Sequence, residues 1–294
     1  MKHNLKAVAF HGDALRYVDI GEGTPIILVH GLLGSHASWG EQISWLAEDF
    51  RVIAVDLYGC GASDKNPGDY TLSAHAASLR DLMDHLGIDR APVVGHSYGG
   101  GVCMQMLYLF PEKVERLALV SSGGLGPEVS LLLRAASLPG SEFVLPVLAS
   151  PLLRGLASTA GRLAAMVGRP ISASPSTLEI WRTFGTVADR DSRRAFLRIT
   201  RGVIDPFGQT ICAVKHFPDY RHIPAMVIWG RHDNMIPSHQ AERNREAMPH
   251  AEAVILEDSG HFPQLDEPVA FHAALHPFLA AAADAAGPRA QIAS

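Results

Sequence analysis

Gly95-His96-Ser97-Tyr98-Gly99 stands between an apolar run, residues 91–94, and a pattern typical of a helix that ends before Pro111. A serine on such a sharp strand-to-helix turn is held in a strained backbone conformation that exposes its hydroxyl. Glycines two positions to either side let the neighbouring strand and helix approach, which larger side chains would obstruct. A Gly-x-Ser-x-Gly pattern also occurs by chance in unrelated sequences, so the prediction depends on the surrounding segments.

A serine hydroxyl becomes an effective nucleophile when a base removes its proton, and the base needs a third group to orient it. Both groups follow apolar runs later in the chain: Asp233 follows residues 224–230, and His261 follows residues 253–256. The loops after parallel strands meet at one edge of a sheet. We therefore predict that Ser97 is the nucleophile, His261 the general base and acid, and Asp233 the orienting carboxylate.

Other residues compete for these roles. Asp258 lies in the same loop as His261, only three residues before it, which makes its reach to the far imidazole nitrogen doubtful. The strand predicted over residues 114–120 is followed by Ser121-Ser122-Gly123-Gly124, which contains no acid. His96 adjoins Ser97, but neighbours at a sharp turn point apart, so we expect a structural role for it.

The developing oxyanion of an acyl transfer needs backbone donors, which a sequence reveals only by position. The amide of Tyr98, directly after the nucleophile, is one predicted donor. The loop His30-Gly31-Leu32-Leu33-Gly34 follows the strand predicted over residues 26–29 and supplies the amide of Leu32 as the other. Each donor is expected to contribute roughly 3 kcal/mol in the transition state.

Together these motifs resemble those of α/β-hydrolase-fold enzymes over nearly the whole chain. The resemblance implies a mostly parallel, eight-stranded sheet flanked by helices, with an inserted helical cap. One loop departs from the family pattern Asp-x-Pro-Gly-His-Gly-x-Ser, because Tyr58 and Cys60 replace its proline and histidine; we expect this to reshape one wall of the site. The matching segments are His30-Gly31 with Gly34, residues 56–64, the turn at Ser97, Gly230-Arg231-His232-Asp233 and Gly260-His261-Phe262-Pro263.

Strands and helices alternate along residues 1–126 and 219–280, which predicts one α/β core. Between them, residues 127–218 break this rhythm into short helices separated by prolines, the predicted cap. We expect its leucines to pack onto the core or to line a hydrophobic chamber over the site, with packing favoured. Its many arginines are expected to form solvated faces or core contacts rather than a surface that recruits anions. Residues 281–294 contain few bulky side chains and are predicted to form a flexible tail.

Composition narrows the function classes. The chain has 294 residues, of which 47% are hydrophobic, enough to bury a substantial core. Its net charge of −5 gives no basic footprint for nucleic acid. Three widely spaced cysteines predict reduced thiols in a cytoplasmic protein, with neither a disulfide framework nor a metal site. No secretory signal or membrane span is expected. A homodimer is left open.

These features predict a serine hydrolase that acts on a carboxylic ester, or related acyl compound, of a hydrophobic small molecule without a cofactor. The serine nucleophile argues against the epoxide-hydrolase and haloalkane-dehalogenase branches, which use a carboxylate. Three alternatives stay open on the same scaffold: a carbon–carbon bond hydrolase of aromatic-ring degradation, a lyase, and a receptor that binds a hydrophobic ligand with little or no turnover.

Overall fold

The computed structural model describes residues 3–156, 159, 173–243 and 248–286. The strands are β1 (Lys6–Phe10), β2 (Asp13–Ile20), β3 (Pro25–Val29), β4 (Arg51–Asp56), β5 (Ala91–His96), β6 (Val114–Val120), β7 (Ile204–Asp205), β8 (Gly208–Gln209), β9 (Ala225–Gly230) and β10 (Glu252–Leu256). Eight of them form one sheet in the order β1-β2-β4-β3-β5-β6-β9-β10, and β7 pairs with β8 in a separate hairpin. Within the sheet, the pairs β1–β2 and β2–β4 are antiparallel, whereas the other pairs are parallel. This confirms the predicted sheet.

Helices cover both faces of the sheet, so its central strands read as continuous apolar runs. The helices are α1 (Gln42–Leu46), α2 (Leu72–His85), α3 (Tyr98–Leu109), α4 (Leu131–Ser137), α5 (Ser141–Leu148), α6 (Pro175–Phe184), α7 (Arg190–Val203), α8 (His239–Arg243), α9 (Pro263–Asp266) and α10 (Pro268–Ala286). Side chains of α2 and α3 pack in the core on one face of the sheet, and side chains of α1 and α10 pack in the core on the other.

The last helix is longer than the sequence pattern predicts. It extends to Ala286, through the first part of the predicted tail, since a run of alanines has the highest helix propensity. Arg116 also donates a hydrogen bond to the carbonyl of Ala281 (2.8 Å), which ties this turn to the sheet. Residues 287–294 of the predicted tail lie outside the described residues.

Between β6 and β9 the chain forms α4–α7 and the β7–β8 hairpin, with a small apolar core of its own. Leu32 and Leu33, from the loop after β3, pack against that core, which places the segment beside the loop. The hairpin is not part of the predicted pattern of short helices. Its turn is fixed by Asp205, whose carboxylate accepts hydrogen bonds from the amides of Phe207 and Gly208. That residues 127–218 act as a cap remains a prediction.

Candidate active site

Ser97 occupies the strained turn between β5 and α3, with φ 54° and ψ −118°. The surrounding backbone holds it there: its amide donates to the carbonyl of Val120 (2.9 Å), and its carbonyl accepts from the amide of Gly123 (3.0 Å). A Cβ atom at Gly95 would overlap the carbonyl of Gly99, and one at Gly99 would overlap that of Val29. Both glycines are therefore sterically required.

The loops after β9 and β10 bring Asp233 and His261 together. The Nδ1 atom of His261 lies 2.8 Å from Oδ2 of Asp233, and both side chains are buried. The other carboxylate oxygen accepts hydrogen bonds from the amides of Met235 (2.8 Å) and Ile236 (2.9 Å), which fix its orientation. Nδ1 thus faces the carboxylate, and Nε2 is the nitrogen left to exchange a proton. Asp258 is exposed and lies outside this arrangement.

Ser97 and His261 line the same cavity, which has a volume of about 80 Å³. A larger cavity of about 220 Å³ also reaches Ser97 but is not lined by His261. Leu32 and Leu133 line both cavities, so Ser97 lies where the two spaces meet.

Of the two predicted oxyanion donors, Tyr98 directly follows Ser97 in the chain and Leu32 lines both cavities that contain Ser97. Among the described residues, the amides of Leu32 and Tyr98 make no hydrogen bond to a protein acceptor. Gly31 packs directly against the turn at Ser97, because a Cβ atom at position 31 would lie 2.9 Å from Cβ of Ser97. The buried His30 ring holds this loop: Nδ1 donates to the carbonyl of Gly31 (2.7 Å), and Nε2 accepts from the amide of Leu57 (3.0 Å). Burial lowers the pKa of His30, which favours this neutral form.

The contact between α6 and the loop that carries His261 (the histidine loop, residues 257–262) was not predicted from the sequence. The hydroxyl of Ser176, at the start of α6, accepts from the amide of Phe262 (2.9 Å). The carboxylate of Asp266 accepts from the amides of Ser176 and Gly260 (both 2.8 Å) and from the Ser176 hydroxyl. These bonds hold the residues directly before and after His261 in the chain, Gly260 and Phe262. No local pattern in the sequence signals a pairing across ninety positions.

Several arginines of the predicted cap make contacts within the protein. Arg182 binds Glu179 through two nitrogens (2.7 and 2.6 Å), and Glu179 also accepts from the hydroxyl of Ser38 (2.7 Å). Burial opposes ionisation of Glu179, but these partners outweigh it and lower the pKa of its carboxyl. Arg194 and Arg198 donate to main-chain carbonyls of the core. Solvated helix faces or contacts to the core were the expected roles.

Neither Tyr58 nor Cys60, in the loop after β4, lines a cavity that contains Ser97. Cys60 lines a third cavity, of about 280 Å³, between this loop and the start of α7. Burial raises the pKa of its thiol to about 12. The hydroxyl of Tyr58 donates to the carbonyl of Asp13 (3.1 Å). Of the two departures from the family pattern, Cys60 lines this third cavity and Tyr58 lines none of the three. That they reshape a wall of the site remains a prediction.

Within the described part of the chain, no helix combines the length and apolarity that crossing a membrane requires. Among those same residues, no group of three or more histidine, cysteine, aspartate or glutamate side chains is arranged to hold a metal ion.

Comparison with known proteins agrees with this fold. The family model described as alpha/beta hydrolase fold matches residues 24–268. An uncharacterized protein of Mycobacterium tuberculosis is 37% identical over 261 residues, covering 89% of this chain and 76% of the relative. A 2-hydroxy-6-oxononadienedioate/2-hydroxy-6-oxononatrienedioate hydrolase of Paraburkholderia phymatum is 30% identical and covers 90% of both chains. An esterase structure from Thermogutta terrifontis superposes with a TM-score of 0.72 at 23% identity, covering 95% of this chain and 99% of the esterase.

Proposed function

Because the chain belongs to the alpha/beta hydrolase fold family, we propose that it is a serine hydrolase that cleaves a carboxylic ester of a hydrophobic small molecule. The observation that carries the proposal is the buried hydrogen bond between His261 and Asp233. The imidazole of His261 also lines the same cavity as Ser97. An oriented imidazole beside a strained serine is what nucleophilic acyl transfer requires.

In the proposed reaction, the hydroxyl of Ser97 attacks the ester carbonyl while Nε2 of His261 takes its proton. Asp233 stabilises the imidazolium, and the amides of Leu32 and Tyr98 bind the oxyanion. The imidazolium then protonates the leaving alcohol, which departs and leaves an acyl-enzyme. A water molecule, deprotonated by His261, attacks this intermediate and releases the acid and free Ser97.

A carbon–carbon bond hydrolase is the second candidate, because the relative from Paraburkholderia phymatum carries that type of name. Its named substrates are dicarboxylates. Neither cavity at Ser97 has an arginine or lysine among the described residues that line it, and an apolar lining would disfavour a dianion. This supports the ester over the dicarboxylate.

The test combines labelling with turnover. A fluorophosphonate should label the protein at Ser97, and ethyl esters of aliphatic acids should be hydrolysed with release of acid. Ser97→Ala should abolish both. Asp233→Asn should lower kcat on the order of ten-thousand-fold, by analogy with other serine hydrolases. The matched control, Asp258→Asn, changes an exposed acid of the histidine loop and should retain activity. Labelling without ester turnover, together with cleavage of a dienedioate, would favour the carbon–carbon hydrolase instead.

A further inference from the structure

The two cavities that meet at Ser97 differ in whether the proposed general acid lines them. His261 lines the smaller cavity and not the larger one. If the protein acts as proposed above, this imidazole protonates the leaving oxygen, so the leaving group lies in the smaller cavity and the acyl group in the larger. On that basis, we propose that the substrates are esters of medium-chain aliphatic acids with small alcohols.

The larger cavity follows one face of α3. Its lining includes Ser97, Gly101, Met104 and Tyr108, which recur at three- or four-residue spacing and therefore share a helix face. Tyr108 lies eleven positions after Ser97, so at 1.5 Å per residue the cavity runs for roughly 16 Å along the helix. Tyr108 is half exposed, so the far end opens towards solvent. The space is a channel suited to an extended chain.

The cavity volumes set the size of each group. A cavity of about 150 Å³ accommodates benzene, which corresponds to roughly 25 Å³ per carbon atom. On that scale, the 220 Å³ channel holds roughly nine carbons and the 80 Å³ cavity roughly three. The length of the channel would admit a few more carbons, so volume is the tighter limit. We therefore expect acyl groups of roughly eight to ten carbons and alcohols as small as ethanol.

The channel wall favours an unsubstituted chain. Gln209 is a polar residue along its course, and its side chain is already bonded to the main chain: Oε1 accepts from the amide of Gly124 (2.7 Å), and Nε2 donates to the carbonyls of Gly126 (2.8 Å) and Glu128 (3.1 Å). Gln105 and His216 also line the channel, but apolar neighbours, including Leu133 and the flexible Met104, form most of its wall. A methylene chain fits a lining that is mostly apolar.

Two isomeric esters test the orientation without any mutation. Ethyl octanoate and octyl acetate have the same composition, but the long chain is acyl in one and alcohol in the other. We expect kcat/KM for ethyl octanoate to exceed that for octyl acetate at least tenfold. An equal rate, or a preference for octyl acetate, would overturn the orientation.

A substitution at Gly101, which lines the channel, tests where the channel runs. Gly101→Leu would fill the channel one helical turn from Ser97. In the wild type, kcat/KM for ethyl esters should rise from butanoate to octanoate by up to about fourfold per methylene. The variant should reduce the octanoate-to-butanoate ratio at least tenfold. Gly202→Leu makes the same change in another helix, where a Cβ atom meets no neighbour within 4 Å, and should keep the wild-type ratio. An unchanged ratio in Gly101→Leu would contradict the proposed course.

A binding assay separates this inference from the proposed reaction. Ser97→Ala, which cannot hydrolyse an ester, should bind octanoate at least tenfold more tightly than butanoate in calorimetric titrations. Octanoate binding without ester hydrolysis by the wild type would retain the channel and refute the proposed function. Hydrolysis of short esters with no gain in octanoate binding would refute the channel and retain the function.

Discussion

His96 donates a hydrogen bond from Nε2 to the carbonyl oxygen of His261, 2.7 Å away. It therefore links the last residue of β5 to the backbone of the loop that carries the proposed general base. Burial lowers the pKa of His96 well below its ordinary value, so the ring is neutral. Because a carbonyl can only accept, the single ring proton lies on Nε2. The ring also packs on Phe262, with centroids 4.5 Å apart.

We predict that His96 positions His261 for proton transfer. His96→Leu removes the donor and should lower kcat for an ester substrate roughly three- to tenfold, the equivalent of one net hydrogen bond, with a smaller effect on KM. His96→Gln retains an amide donor near the position of Nε2 and should recover most of the loss. Steady-state kinetics of both variants provide the measurement. Equal kcat values for the two would show that this hydrogen bond has no part in positioning.

The sequence was sufficient to place the main side chains of the site at one edge of the sheet. Ser97, Asp233 and His261 each follow an apolar run, and the ends of parallel strands converge whatever the intervening loops contain. The hydrogen bond between His261 and Asp233 agrees with that reasoning. The catalytic roles of these residues remain predictions.

Contacts without a local signature could not be predicted in this way. The bonds of Ser176 to Asp266 and Phe262 join residues about ninety positions apart, and neither hydrophobic periodicity nor turn chemistry encodes them. The β7–β8 hairpin had a turn signal at Asp205 and Gly208. Its strands have only two residues each, however, which is too short for an alternating pattern to appear.

Two glycines in α3 should respond very differently to the same substitution. Gly99→Ala would drive a methyl group into the carbonyl of Val29, a backbone atom that cannot move independently of the sheet. Gly101→Ala places its methyl 3.4 Å from a side-chain carbon of Leu72, an ordinary contact. We expect Gly99→Ala to lower the free energy of unfolding by at least 3 kcal/mol, beyond the usual cost of overpacking, and Gly101→Ala to change it by less than about 1 kcal/mol. Urea denaturation measures both; similar values would contradict the crowding argument.

The contact between α6 and the histidine loop should limit the local opening of α6. Ser176→Ala removes the acceptor for the amide of Phe262 and a donor to Asp266, so a buried amide loses its partner, at a cost of about 1–3 kcal/mol. Hydrogen exchange of residues in α6 should therefore become faster, on the order of fivefold or more. Thr177→Ala, at the exposed neighbouring position, should leave exchange nearly unchanged. Identical rates in the two variants would show that the serine does not anchor this helix.

The stability of the fold should depend on pH through the buried His75. Burial, with a smaller contribution from His30, lowers the pKa of its imidazole to about 3. The unfolded chain binds a proton as the pH falls below about 6.5, while the folded chain does not bind one until near pH 3. The contribution of His75 to stability is therefore complete above pH 6.5 and is lost as the pH falls through this window.

Between pH 7.5 and 5.0 this loss amounts to about 2 kcal/mol, since each pH unit below the unfolded pKa contributes about 1.4 kcal/mol. In His75→Phe, which keeps a ring against Tyr70 and Tyr98, the free energy of unfolding should fall by about 2 kcal/mol less than in the wild type over the same interval. Urea titrations at the two pH values measure this difference. The exposed His222→Phe serves as the matched control and should keep the wild-type dependence. An undiminished loss in His75→Phe would mean that His75 is protonated in the folded protein.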